Sequence, residues 1–184
     1  MDELRIRLYG DPCLETVSEP IGEVDASLRE LTEAMGEIMY ATRGIGLAAP
    51  QVGINRRLFV MDTEWASGEE DGKQEGEKDL RVFINPEITW ESVEDAPLTE
   101  GCLSLPEIEG EVYRPIAVRM RYKDLDGVEY EELFEDLPAR CVQHEFDHLD
   151  GVLFVDRMAR NKRRPLAGKL SNLRKKTRME MSSA

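Results

Sequence analysis

The sequence predicts a single α+β domain, residues 1–184, with antiparallel or mixed β-sheets packed around one central helix. A helix near the N-terminus and an amphipathic helix at the C-terminus complete the expected architecture. Three patterns carry this prediction. Residues 116 to 122 (Ile-Ala-Val-Arg-Met-Arg-Tyr) alternate strictly, and Asp126-Gly127 signals a hairpin turn into residues 128 to 134. Residues 25 to 43 carry Leu28, Leu31, Met35, Ile38 and Met39 at spacings of three and four, one apolar helical stripe. The third pattern is the stretch His144-Glu145-Phe146-Asp147-His148, which holds the only two histidines of the chain. Residues four apart lie one turn apart on one helix face, so both imidazoles can reach a single metal ion with a carboxylate beside it. The alternative is a polar helix with two incidental histidines.

In chain order, residues 4 to 9 alternate apolar and basic, a short strand or extended arm closed by Gly10-Asp11-Pro12. Ser27 followed by Glu30 offers a capping box to the first helix, and Gly44 a stop. Residues 44 to 53 (Gly-Ile-Gly-Leu-Ala-Ala-Pro-Gln-Val-Gly) form a small-residue loop. It lacks a Gly-Lys-Ser/Thr ending, so close backbone approach, not phosphate binding, is what it offers; Gln51 is its one hydrogen-bonding side chain. Residues 58 to 61 and 80 to 84 read as strands, and Asn85-Pro86 as a turn into a strand over about 87 to 93. Between the first two lies an acidic stretch, 64 to 79, with little to bury, expected to be a solvated insertion. Asp136 is placed to cap the histidine helix, with Pro138 in its first turn and Gly151 at its end. Residues 152 to 155 are expected to be extended. From Asp156 onward, Leu166, Leu170 and Leu173 mark a final helix expected to fray at its end.

The net charge of −14 argues against binding polyanions over the whole surface. Residues 157 to 178, however, hold ten of the 24 basic residues and no acidic one. That segment could contact nucleic acid or an acidic partner, or be simply a solvated face. Three cysteines without framework spacing predict a reduced, intracellular protein. Met1-Asp2-Glu3 opens without an apolar segment, so no secretory signal is expected, and no apolar run is long enough to span a membrane.

A catalytic divalent site needs about three protein ligands and an open position. The histidines supply two, and cysteines are natural candidates for the third. Cys141 shares the helix face, but the rise of roughly 10 Å to residue 148 disfavours joint ligation, so a buried small hydrophobe is expected there. Cys13 has no chemical company. Cys102 lies in Thr99-Glu-Gly-Cys-Leu-Ser-Leu-Pro106, where it could be a ligand, a buried structural thiol or, less readily, a nucleophile.

Gly44-Ile-Gly-Leu-Ala-Ala-Pro-Gln51, Glu100-Gly-Cys-Leu-Ser104 and Gln143-His-Glu-Phe-Asp-His148 together resemble the three signature motifs of the peptide deformylases, in the same order. The resemblance extends over nearly the whole chain. It implies a cytoplasmic enzyme that removes the N-formyl group from the initiator methionine of new polypeptides, releasing formate. It implies Cys102, His144 and His148 as metal ligands, Glu145 as general base and acid, and Gln51 with the Leu103 amide as oxyanion donors. It places Ile45 and Gly46 on the substrate backbone and suggests a Glu100–Arg114 ion pair, or else a surface pair of little consequence. The implied ion is Fe²⁺ in the cell, replaceable by Zn²⁺, Ni²⁺ or Co²⁺. It also implies that the basic C-terminal helix can dock on the ribosome. Where some members carry a basic substrate contact after the cysteine motif, this chain has the acidic Pro106-Glu-Ile-Glu-Gly-Glu111. A zinc endopeptidase or a metal-stabilised binding module are the rival readings.

Overall fold

The computed structural model describes residues 4–65 and 78–183. Seven strands form two sheets among these residues: β1 (Gly46–Ala48), β2 (Leu58–Met61), β3 (Arg81–Glu91), β4 (Asp95–Cys102), β5 (Leu105–Pro115), β6 (Ala117–Lys123) and β7 (Glu129–Glu135). β1-β2-β3-β6-β7 make one sheet with every neighbouring pair antiparallel, and β4-β5 make a separate antiparallel hairpin. The helices are α1 (Ala26–Ala41), α2 (Asp136–Leu149), α3 (Phe154–Arg157), α4 (Arg160–Arg163) and α5 (Ala167–Ser183). The expected α+β class and the 116–134 hairpin are both present. Of the acidic stretch 64 to 79, residues 66–77 lie outside the described residues.

All four residues of β2 are buried because α1 and α2 cover opposite faces of the sheet. Strand alternation divides them. Leu58 and Val60, with Leu47 of β1, meet Leu28, Leu31, Met35 and Met39 of α1. Phe59 and Met61 meet Ala139, Cys141, Val142 and Leu149 of α2, in a cluster extended by Phe83, Val118, Met120 and Phe134. Phe83 lies at its centre, stacked on Phe59 at 4.5 Å and tilted against Tyr122 at 4.3 Å. A third cluster, Leu105, Ile108 and Val112 with Leu153, Phe154, Val155, Met158 and Leu170, fastens the β4-β5 hairpin to the C-terminal helices. Each such fully buried side chain contributes about 1.5–3 kcal/mol through apolar burial. The hairpin thereby becomes a lid over the polar face of α2.

Several local expectations need correction. Asp25, not Ser27, caps α1: its carboxylate accepts from Leu28 N at 2.9 Å, and Ser27 donates to that same carboxylate. The helix ends on Arg43 in the left-handed region (φ 56°), with Gly44 N bonded back to Met39 O, so Gly44 follows the stop and does not form it. Asn85-Pro86 is a bulge inside one continuous β3: Asn85 takes φ 49°, and its side chain holds both backbone groups of Ile21. Asp136 lies inside α2, whose N-cap is Glu135. Residues 154–157 form a helical turn, with Asp156 accepting from Leu153 N, and α5 is helical as far as Ser183. Residues 4 to 9 are an extended arm outside the sheets, tied by Arg7 N to Gln51 O and Tyr9 N to Ser104 O.

Gly151 ends α2 as expected, at φ 71°, and a Cβ there would meet the Glu15 carbonyl carbon at 2.8 Å. Gly127 shares the left-handed conformation (φ 77°) with open space around it. Gly127→Ala is therefore expected to cost about 1 kcal/mol of backbone strain, and Gly151→Ala clearly more. Urea denaturation of the two variants measures the difference, and equal losses would contradict the close approach.

Candidate metal centre

α2 presents its apolar residues to the sheet and buries its polar face as well, which is uncommon for charged side chains. Gln143, Glu145, Asp147 and His148 are all at most 4 % exposed. The helix spacing sets the His144 and His148 rings 5.0 Å apart. Cys102 ends β4, immediately before the Leu103-Ser104 turn of the hairpin, and its Sγ lies 3.3 Å from His148 Nε2. Ligand atoms of Cys102, His144 and His148 all fall within 4.8 Å of one another. Two ligands at typical sulfur and nitrogen bond lengths on a tetrahedral ion stand about 3.6 Å apart. The donor set of one sulfur and two nitrogens suits zinc and iron alike. Cys141, on the same helix, instead points its Sγ at Ile45 O, 3.6 Å away, and burial pushes its thiol well up. Cys13 directs its thiol to Pro50 O and is pushed up to about 12, mainly by burial and then by its hydrogen bond with Asp11. Neither joins the cluster.

Beneath the cluster lies a buried charge network. Glu100 accepts from Arg114 Nε at 2.7 Å and Nη2 at 3.0 Å, from Arg140 Nη1 at 3.0 Å, and its Oε2 lies 2.9 Å from His144 Nδ1. Burial pulls the Glu100 pKa up, yet the bonds from His144 and Arg114 and the Arg114 charge outweigh it and hold the carboxyl well below its usual range. Arg114 continues to Asp147 at 2.7 Å, and Asp147 also binds Arg157 at 2.6 Å. The Glu100–Arg114 pair is thus an internal brace and not a surface pair. Burial depresses His144, but its contacts with Cys102 and Glu100 prevail and raise it well above its ordinary value. Burial lowers His148 well below, with the His144 and Arg114 charges adding to the effect. A metal ion competes with a proton at His144, which couples ion binding to pH.

Glu145 is the remaining polar group of the helix face. Its Oε2 is buried with no hydrogen-bond partner, and burial lifts its pKa to about 7, moderated by the His144 charge. An orphaned carboxylate oxygen beside three soft-to-borderline donors fits a site built for a cation and a water molecule. Close approach makes this possible: a Cβ on Gly46 would fall 2.5 Å from Glu145 Oε1. The glycine loop read from the sequence is therefore where Glu145 fits against β1. Gln51 faces the same space. Its Oε1 accepts from Ala48 N at 2.8 Å, which aims its Nε2 at Cys102 Sγ (3.4 Å) and Ser104 Oγ (3.3 Å).

These groups open into a cavity of about 370 Å³ lined by Ile45, Gly46, Leu103, His144 and Glu145, with the half-exposed Leu98 and Leu137 at its mouth. All eight residues singled out as site candidates line it or, as His148 does, touch a residue that does. Arg140, Asp147, Arg157, Leu98 and Leu137 escaped the sequence reading. For Arg140 and Asp147 the available signal was their place on the histidine helix, one turn before His144 and one residue before His148, on a face that had to be buried; for Arg157 there was none.

Comparison with known proteins agrees with this geometry. The family model described as polypeptide deformylase matches residues 3–164. A peptide deformylase of Phenylobacterium zucineum is 49% identical over 152 residues, spanning 83% of this chain and 85% of that protein. One from Novosphingobium aromaticivorans is 48% identical over 176 residues, spanning 90% and 94%. Among solved structures, a plant peptide deformylase superposes with a TM-score of 0.89 at 40% identity, covering 99% of this chain and 95% of its own. A Plasmodium falciparum peptide deformylase gives 0.86 at 36% identity, covering 95% and 98%.

Glu100→Gln removes the charge that orients His144 and compensates two buried arginines. Divalent-ion affinity is expected to fall about 10–100-fold, read by competition with a chromogenic chelator. Unchanged affinity would show that the brace does not act on the ligand.

Proposed function

This chain belongs to the peptide deformylase family, which removes the N-formyl group from nascent polypeptides, and we propose the following assignment of that hydrolysis to its residues. Cys102, His144 and His148 hold one divalent ion, Fe²⁺ in the cell, with Zn²⁺, Ni²⁺ or Co²⁺ able to replace it. Such an ion supplies Lewis acidity, lowering the pKa of water to about 7 and polarising the formyl oxygen. Glu145 accepts the proton of the attacking water and delivers it to the methionine nitrogen as the C–N bond breaks, leaving formate and a free amine. Gln51 Nε2 and the Leu103 amide stabilise the oxyanion of the tetrahedral adduct. The contacts of Gln51 to Cys102 and Ser104 are long, so either hydrogen can be redirected at little cost.

The observation that carries this reading is the partnerless Glu145 oxygen beside the three-ligand cluster, inside a cavity with a small-residue wall. The substrate backbone follows Ile45 and Gly46. β1 is an edge strand of its sheet, and an edge can receive a peptide as an added strand. The methionine side chain takes the apolar part of the cavity near Leu98 and Leu137. Residues 1–184 then act as one catalytic domain in the cytoplasm; no helix among the described residues is long and apolar enough to cross a membrane.

A ribosome contact is supported by a concave surface of about 420 Å³ lined by Arg160, Arg163, Arg164 and Arg174. Arg163 and Arg174 are paired with Asp156 and Glu15, while Arg160 and Arg164 make no ion pair among the described residues. Two or more unpaired arginines in one hollow favour an RNA backbone through phosphate neutralisation.

Glu145→Gln is expected to keep its metal and lose about 10²–10⁴-fold in formate release from formyl-Met-Ala-Ser, with metal content measured anaerobically alongside. Full hydrolysis in that variant would refute the proton-transfer role, and cleavage of internal peptide bonds by the natural protein would favour an endopeptidase. For the ribosome, Arg160→Glu with Arg164→Glu is preferable to truncation, since Met158 and Leu170 belong to the core. Cosedimentation with ribosomes should fall several-fold at low salt while formate release persists; undiminished binding counts against the contact.

A further inference from the structure

The segment Gly44–Gly46 is held from behind by the residues that begin the acidic stretch. Trp65 is 4 % exposed, and its indole N–H donates to Gly44 O at 3.0 Å. Asp62 N donates to the next carbonyl, Ile45 O, at 2.9 Å. The Asp62 carboxylate in turn accepts from Tyr40 OH (2.7 Å), Glu64 N (3.1 Å), Trp65 N (3.2 Å) and Asp79 N (2.8 Å). The Trp65 ring meets Tyr40 edge-on with centroids 5.2 Å apart, and Lys78 Nζ lies 4.7 Å over the other ring. Both flanks of residues 66–77 are thus clasped on one buried aspartate, and that clasp is bonded to two consecutive carbonyls in the cavity wall. Nothing in the hydrolysis needs an indole at this place.

We propose that Trp65 is a positioning residue for substrate binding: with the Asp62 amide it fixes the Gly44 and Ile45 carbonyls, holding the start of β1 in the conformation that receives the substrate backbone. The inference rests on the reading that Ile45 and Gly46 meet that backbone. Without the indole hydrogen bond, Gly44 regains the freedom of a glycine peptide, and binding has to order it again. The loss falls on substrate affinity. His144, Glu145 and Cys102 belong to other elements, so the chemical step and the ion are spared.

The test uses metal-loaded protein with formyl-Met-Ala-Ser and an analogue whose amide after methionine is replaced by an ester. Trp65→Phe should raise KM for the amide about 2–10-fold, the range for one neutral hydrogen bond. kcat should stay within a factor of two and metal content should not change, and the variant should discriminate less between amide and ester. A KM equal to the natural protein's, or a loss of kcat and metal together, would overturn the proposal. If the natural protein itself treats amide and ester alike, the backbone reading fails and this inference falls with it. If it discriminates and Trp65→Phe matches it, only the role of Trp65 fails. Should Trp65→Phe not fold, Trp90→Phe leaves Trp65 as the one tryptophan of two. Its indole N–H should then be protected from solvent hydrogen exchange in the free protein and stay so with the product Met-Ala-Ser bound, and rapid exchange in the free protein would overturn the proposal.

Discussion

The buried carboxylate of Glu100 joins the parts of this protein that would otherwise be separate. It belongs to the β4-β5 hairpin, which shares no sheet with the other five strands, and it meets Arg140 and His144 of α2 and Arg114 of its own partner strand. Taking a carboxylate and two guanidiniums out of water is costly unless every one of them is paired and hydrogen-bonded. Here Arg114 turns its other side to Asp147, and Arg140 also binds Val112 O and Ala96 O. The network closes only when the hairpin sits on α2 in one register. That register brings Cys102 to the histidines, so the charge pairing that holds the hairpin down also assembles the Cys102, His144 and His148 cluster.

Steric complementarity does on the other side of α2 what charge does beneath it. Glu145 lies against the Gly46 backbone with no room for a Cβ, and Ile45 and Gly44 continue that wall. Burial there deprives the Glu145 carboxyl of solvent and lifts its pKa to about 7, within the range where a group both accepts and returns a proton at neutral pH. A bound cation pulls in the opposite direction. A cluster of three ligand-capable side chains, an acid without a partner and an adjacent hollow is laid out for turnover, whereas a structural ion has its positions closed. This favours an enzyme over a metal-stabilised binding module.

Much of this was legible in the chain. The strict alternation of 116 to 122 with Asp126-Gly127 gave β6-β7, and the stripe from Leu28 to Met39 gave α1, because each repeats over several turns or pleats. The histidine pair was legible because the chain has only two and their spacing matches a helix turn, whereas Cys102 stood out only through the resemblance of its motif to a known family. The β4-β5 hairpin was not recognised as a pair of strands: Asp95–Cys102 is largely exposed and has neither a clean alternation nor a glycine-containing turn, since Leu103-Ser104 makes it. Local boundaries misled where a tertiary bond decided the outcome. Asn85 holds Ile21, and that contact turns a turn signal into a bulge. The arginines around Glu100 and Asp147 were invisible for the same reason: a lone arginine in a sequence does not announce that it will be buried.

The wall against which Glu145 lies has a further consequence for how the molecule comes into being. Cys141 touches Ile45 across 96 residues of chain, Gln51 reaches Cys102 across 51, and Cys102 reaches His148 across 46. No two of the three motifs are neighbours in sequence, so none can be assembled by local structure. Long loop closures must be made first, which slows folding in proteins of this topology. α2 carries the last of the three motifs in chain order. An elongating copy of this chain therefore has no working centre until α2 has been made and has met both of the earlier motifs.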